Sequence, residues 1–306
     1  MRRVVIGYDG SDRGRDALAL GRTLAELLRG DLEALIALVY PDGPVGSSGL
    51  RTLHAAHRAE AQRILDGARR AWPQLAPGAF HLLQAGSPAA GLHALALERE
   101  ADAVLVGASH RGAAGRVFPG SATEQTLHGA PCAVLVAPPG YASASRPLRR
   151  IGVAYDGSRE ARTALETARA LARRRDDVTL VAIDVVDLAR PFAVPYEHPR
   201  YVIDLQAIAD AHLRDAFAAL SDVPHVELDR RDGDPVRELV EASAALDLLV
   251  LGSRAHGPLR RLLLGSVGAH VVRHARCPLL LPPRGAHAPA GAPEPAGTSA
   301  AREHSP

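Results

Sequence analysis

One pattern occurs twice in this chain, and that duplication constrains the fold more than any other feature. Residues 3–11 read RVVIGYDGS and residues 150–158 read RIGVAYDGS, identical at five of nine positions at an offset of 147. Gly86-Ser87-Pro88 returns at the same offset as Gly233-Asp234-Pro235. Further along, the offset is 145: Gly107 returns as Gly252, Gly120-Ser121 as Gly265-Ser266, and Cys132 as Cys277. Landmarks kept in order at such steady spacing imply a duplicated unit, with the helix between the third and fourth strands two residues shorter in the second copy. A length of 306 residues suits two domains. The first is expected over residues 1–138 and the second over 149–283. Residues 139–148, small, polar and flanked by Pro, are expected to link them. Residues 284–306, rich in Ala, Pro and Gly without apolar periodicity, are expected to form a disordered tail.

Within each half, short apolar runs alternate with segments of helical period. The first half reads as strands over Arg3–Tyr8, Leu32–Tyr40, Phe80–Gln84, Ala103–Val106 and Cys132–Ala137. Helices are expected between them over Asp12–Arg29, Leu50–Trp72, Pro88–Glu100 and Ala122–His128. The second half repeats the order, with strands over Ile151–Tyr155, Val178–Val186, His225–Asp229, Leu248–Leu251 and Cys277–Leu281. Continuous apolar strands alternating with amphipathic helices predict an α/β fold: two tandem open-twisted five-stranded parallel sheets, helices on both faces. Ligands in such sheets lie beyond the carboxyl ends of the strands, where the strand order reverses.

Composition narrows the chemistry. The chain has no Lys, which excludes Schiff-base catalysis and the lysine of a Walker-type phosphate loop. Its net charge of +2 provides no electrostatic footprint for nucleic acid or an anionic membrane. No apolar run reaches the roughly 18 residues of a membrane span, and the start lacks the apolar stretch of a signal peptide, so a cytoplasmic location is expected. Cys132 and Cys277 cannot form a metal cluster alone and read as small buried thiols. No residues have the spacing of a zinc site. Arg173-Arg174-Arg175 reads as a solvated helix end.

Three places in each half lie where a ligand would sit. At the end of strand one, Asp9 and Asp156 stand in the YDGS segments, where Asp and Ser can cap the next helix or the carboxylate can face a ligand hydroxyl. At the end of strand two, Val39 and Val185 can pack on a flat ring or simply belong to the core. After strand four, glycine-rich loops run from Gly107 to Ser121 and from Gly252 to Ser266. Glycine lets backbone approach an anion, the following helix start favours phosphate, and loop Arg residues add charge-assisted bonds. His110 and His256 read as solvated loop residues, with a phosphate-facing imidazole as the alternative.

On these YDGS segments, glycine loops and the closing Ala130–Val136 and Arg276–Leu281 segments, the chain resembles the universal stress protein family, specifically its tandem-domain members. The resemblance covers all but the tail. It implies a sheet order of 3-2-1-4-5 in each half and, in the ATP-binding branch, a pattern G-x2-G-x9-G-[ST]. Carried across, the first half supplies Gly7, Asp9, Val39, Gly107, Ser109, His110, Arg111, Gly120, Ser121 and Ala122. The second supplies Asp156, Val185, Gly252, Ser253, Arg254, Ala255, Gly265, Ser266 and Val267. The middle glycine is replaced by His110 in one half and Ala255 in the other. If it requires positive φ, each replacement costs about 1–2 kcal/mol. Ala255 is the milder change and Pro119 removes an N–H from the first loop, so the second half is the better nucleotide site. The resemblance implies a regulatory stress-response protein that binds ATP, alone or with Mg2+, without strong turnover, and that acts on a regulatory protein partner not identifiable from sequence. The alternative is a nucleotide-free interaction module of the same fold. The family's pairing through the last strand implies an intramolecular pseudo-dimer of the two halves, with the remaining edges open to pairing in a homodimer.

Overall fold

The computed structural model describes residues 1–41, 48–108, 122–187, 199–253 and 265–283. The first half contains β1 (Arg3–Gly7), α1 (Asp12–Leu27), β2 (Glu33–Pro41), α2 (Ser48–Ala71), β3 (Phe80–Ala85), α3 (Pro88–Glu98), β4 (Ala103–Gly107), α4 (Ala122–Leu127) and β5 (Ala133–Ala137). A short α5 (Tyr141–Ala144) leads to the second half. There the order repeats as β6 (Arg150–Ala154), α6 (Arg159–Ala172), β7 (Thr179–Asp187), α7 (Pro199–Ala219), β8 (His225–Gly233), α8 (Pro235–Ala242), β9 (Leu248–Val250), α9 (Ser266–His274) and β10 (Leu279–Leu281). The strands form where β-branched and Leu-rich runs can be buried on both faces, as in AVLVG of β4 and AVLVA of β5.

Each half has the strand order 3-2-1-4-5, but the two sheets are not separate. They join into one ten-stranded sheet of order β3-β2-β1-β4-β5-β10-β9-β6-β7-β8. The junction is antiparallel, with Leu279 opposite Val136 and Leu281 opposite Val134. All the other pairings are parallel. The reason is edge protection: β5 and β10 are apolar and fully buried, and either left alone would expose unpaired backbone groups. Because the halves run in opposite senses, their carboxyl strand ends open at opposite edges of the sheet. Two apolar layers cover the faces, and each contains side chains from both halves.

The junction segment is more than a spacer. Tyr141 and Leu148 are buried, and the backbone N–H groups of Gly140 and Ala142 donate to the buried Asp16 carboxylate at 2.9 and 2.8 Å. The expected strand Cys277–Leu281 begins instead at Leu279, because Pro278 has no N–H to give the ladder. Strand β8 extends four residues beyond the expected Asp229, into a charged run whose Arg230 and Arg231 pair with Asp210 and Asp229. The Arg173-Arg174-Arg175 end is likewise paired, with Asp222, Asp31 and Asp177. Burial pushes both Cys132 and Cys277 thiols up to about 12, which keeps them protonated and inert. Among the described residues no helix is long and apolar enough to cross a membrane.

Candidate functional site

The YDGS segments fold as their residues dictate. Gly10 and Gly157 take φ of +76° and +71°, which a Cβ would disfavour. The hydroxyls of Ser11 and Ser158 then accept from Gly14 and Ala161 N–H groups, capping α1 and α6. The carboxylates of Asp9 and Asp156 accept the N–H of that same Ser, at 3.0 and 3.1 Å. Capping therefore falls to Ser, while both Asp side chains remain exposed at the mouth of a cavity.

The two cavities lie at the carboxyl ends of the strands, one per half. The first has a volume of about 110 Å³ and is lined in part by Gly7, Asp9, Val39, Gly107 and Ala122. The second has about 310 Å³ and is lined in part by Asp156, Val185, Gly252, Gly265, Ser266 and Val267. Only the second falls in the usual range of ligand pockets, roughly 300–1,000 Å³. Val39 also packs on α3, where a Cβ at Gly91 would lie 2.7 Å from its Cγ2. Ser253 is brought nearby but turned inward: it is buried, and its hydroxyl donates to the Pro282 carbonyl at 2.9 Å. Ser109, His110, Arg111, Gly120, Ser121, Arg254 and Ala255 lie outside the described residues, as does His256.

Two features of the site go beyond the sequence readings. Gly107 and Gly252 were expected to let backbone approach an anion. A Cβ at Gly107 would strike the carbonyl of Arg13, and one at Gly252 would lie 2.8 Å from the Glu160 carbonyl carbon. These glycines let the first turn of α1 or α6 cross the end of strand four, whatever the loop holds. The second is chemical. Among the described residues the second cavity is lined by Asp156, Glu160, Asp184 and Asp187 and by no basic side chain, whereas the first has Asp9 and Arg13.

Asp184 was not foreseen. It is 5% exposed, and His212 Nδ1 donates to its Oδ2 at 2.8 Å. Burial raises its pKa above the usual carboxylate range, against the opposing pull of His212. The one available signal was a charged residue inside the apolar run TLVAIDVVD, where its counterpart in the first half is Leu38. Among the described residues no group of three His, Cys, Asp or Glu side chains could hold a metal ion.

A family model described as the universal stress protein family matches residues 1–138 and again 147–283. A universal stress protein of Mycobacterium tuberculosis is 32% identical over 196 residues, covering 60% of this chain; the chain spans 63% of that relative's length. Another from the same organism is 27% identical over 319 residues, covering 92% of this chain and 99% of the relative. Among solved structures, a universal stress protein from Archaeoglobus fulgidus superposes with a TM-score of 0.63 at 18% identity, over 93% of this chain and 99% of the other. One from Pseudomonas aeruginosa superposes with a TM-score of 0.60 at 16% identity, over 92% and 94%. At such identity these likenesses concern the fold.

Proposed function

The chain belongs to the universal stress protein family, and from that premise we propose that it binds adenine nucleotide, chiefly ATP, in the second cavity and acts by regulation, without strong catalytic turnover. The observation that carries this reading is the second cavity itself: about 310 Å³ at the strand ends, bounded by Asp156, Val185 and the first residues of α9. Each boundary has a role suited to a nucleotide. The Asp156 carboxylate can accept from ribose hydroxyls, and the Val185 side chain offers an apolar surface to a purine ring. The backbone N–H groups at Ser266 and Val267, which open α9, suit a phosphate. Arg254 and Ala255 belong to the adjoining loop and are proposed to contact the same phosphates. If Mg2+ accompanies the nucleotide, it is proposed to arrive with the phosphates, since the described residues offer no preformed metal cluster.

The first cavity, at about 110 Å³, favours a lesser role for the first half. We assign it weaker binding or none, so the two halves of one chain would differ in occupancy. The proposed place of action is the cytoplasm.

Calorimetry of the full chain with ATP tests the reading. One dominant binding event is expected in the micromolar-to-millimolar range. Asp156→Ala should weaken it about tenfold, the value of a hydrogen bond to a charged group, while Asp9→Ala should change it little. No heat of binding across that range would refute the proposal.

A further inference from the structure

The two halves build the same corner of the fold from different chemistry. In the first half, Gly10 sits under Ile64: a Cβ there would lie 2.8 Å from Ile64 Cγ2. In the second, the twin Gly157 sits under His212, with the corresponding distance 2.6 Å to Cδ2. Ile64 and His212 therefore occupy equivalent places. Strand register gives the partner of each. Arg3 lies opposite Glu33 and Arg150 opposite Thr179, so Leu38 and Asp184 fall at the same point, each one residue before a Val that lines its half's cavity. Both are buried, at 4% and 5% exposure.

The first half thus fills this corner with Leu38 and Ile64, and the second with a hydrogen-bonded Asp184 and His212. An apolar pair avoids the desolvation penalty that a buried carboxylate and imidazole incur. The first half proves that the fold accepts the apolar pair. Stability alone does not account for the polar one, but its location does: Asp184 lines the second cavity, beside Asp156.

We propose that Asp184, oriented by His212, is a specificity residue of the second cavity, accepting a hydrogen bond from a hydroxyl or amino group of a bound adenine nucleotide. This rests on the nucleotide reading above and deepens it. A carboxylate has about four lone-pair sites, and the His212 N–H takes one, so acceptor capacity remains. His212 acts as a positioning residue: its Nδ1–H fixes the carboxylate rotamer, while its ring is braced against the Gly157 backbone. The first half has Leu38 at this place, which offers no acceptor, so the two cavities would differ in what they demand of a ligand.

The test uses the full chain carrying Asp9→Ala, which weakens the first cavity. Equilibrium dialysis compares ATP with 2′-deoxy-ATP, 3′-deoxy-ATP and purine riboside triphosphate, which lacks the exocyclic amine. With Asp184 intact, at least one analogue should bind about tenfold more weakly than ATP, and the analogue whose deficit disappears when Asp184 is replaced names the group that Asp184 reads, since a deficit that persists belongs to Asp156. Asp184→Leu combined with His212→Ile restores the pair that the first half already tolerates, so folding, checked by thermal melting, should persist. ATP should then weaken to the affinity of that analogue. His212→Gln, which keeps an N–H donor, should recover most of the discrimination, an outcome that a merely space-filling histidine would not give. Undiminished discrimination in the double variant, or equal binding of ATP and all three analogues before mutation, would overturn the proposal while leaving nucleotide binding intact. Absence of ATP binding in every chain would remove both.

Discussion

Gly107→Ala lowers the unfolding free energy by about 3 kcal/mol, the upper part of the range for forced overpacking. The methyl group has nowhere to go. It would meet the carbonyl, carbonyl carbon and Cα of Arg13, all backbone atoms of the first turn of α1. A flexible side chain could swing aside, but a helix start capped by Ser11 cannot without breaking that cap. Relief requires moving α1 off the end of β4, which also disturbs the packing of α1 against β1 and β5. Gly252→Ala should act the same way on α6, somewhat less severely, since its nearest backbone contact is 2.8 Å. Gly86→Ala is the control: a Cβ there meets nothing within 4 Å, and its melting temperature should stay close to the parent's. Thermal or urea unfolding of the three variants measures the order. If Gly107→Ala melted with Gly86→Ala, the close helix–strand crossing would be wrong.

The second large effect concerns the junction. Asp16→Ala should cost about 1–3 kcal/mol, because it leaves the N–H groups of Gly140 and Ala142 without their acceptor in a partly buried place. Asp16→Asn retains one acceptor oxygen and should fall between. The counterpart of Asp16 in the second half is Thr163, which bonds only its own helix, to the Arg159 carbonyl. This asymmetry follows from position: only the first half must hand the chain on to a second. Loss of the anchor should loosen α5 and the start of β6, seen as faster amide exchange at Gly140–Ala144. Unchanged exchange there would contradict the anchoring role.

Much of this was legible in the residues. The duplicated YDGS segments predicted the turn at Gly10 and Gly157 and the Ser caps, because positive φ and capping are local demands. Pro88 in the first turn announced another helix start; the side-chain caps that Ser87 and Asp234 add there and at α8 were not foreseen. The alternation of elements predicted a parallel sheet with helices on both faces. What was not legible depends on contacts distant in sequence. Nothing local in AVLVA or LLL says that β5 and β10 pair with each other to close ten strands into one sheet. Gly107 looked like a phosphate-loop glycine because its neighbours are glycine-rich. Its steric constraint comes from Arg13, 94 residues earlier in the chain. Asp184 lay inside an apolar strand and His212 in a long helix, and only tertiary structure brings them within 2.8 Å. Aligning the two halves residue by residue would have flagged the pair as Leu38 and Ile64 changed together.

The most direct measurement is photolabelling of the full chain with 8-azido-ATP, followed by peptide mapping with and without excess ATP. If adenine nucleotide occupies the second cavity, ATP-protected adducts concentrate in the peptides that carry Tyr155–Glu160 and Ile183–Asp187. Labelling that ATP does not suppress, or suppressible labelling confined to peptides away from both cavities, would contradict nucleotide binding at the strand ends.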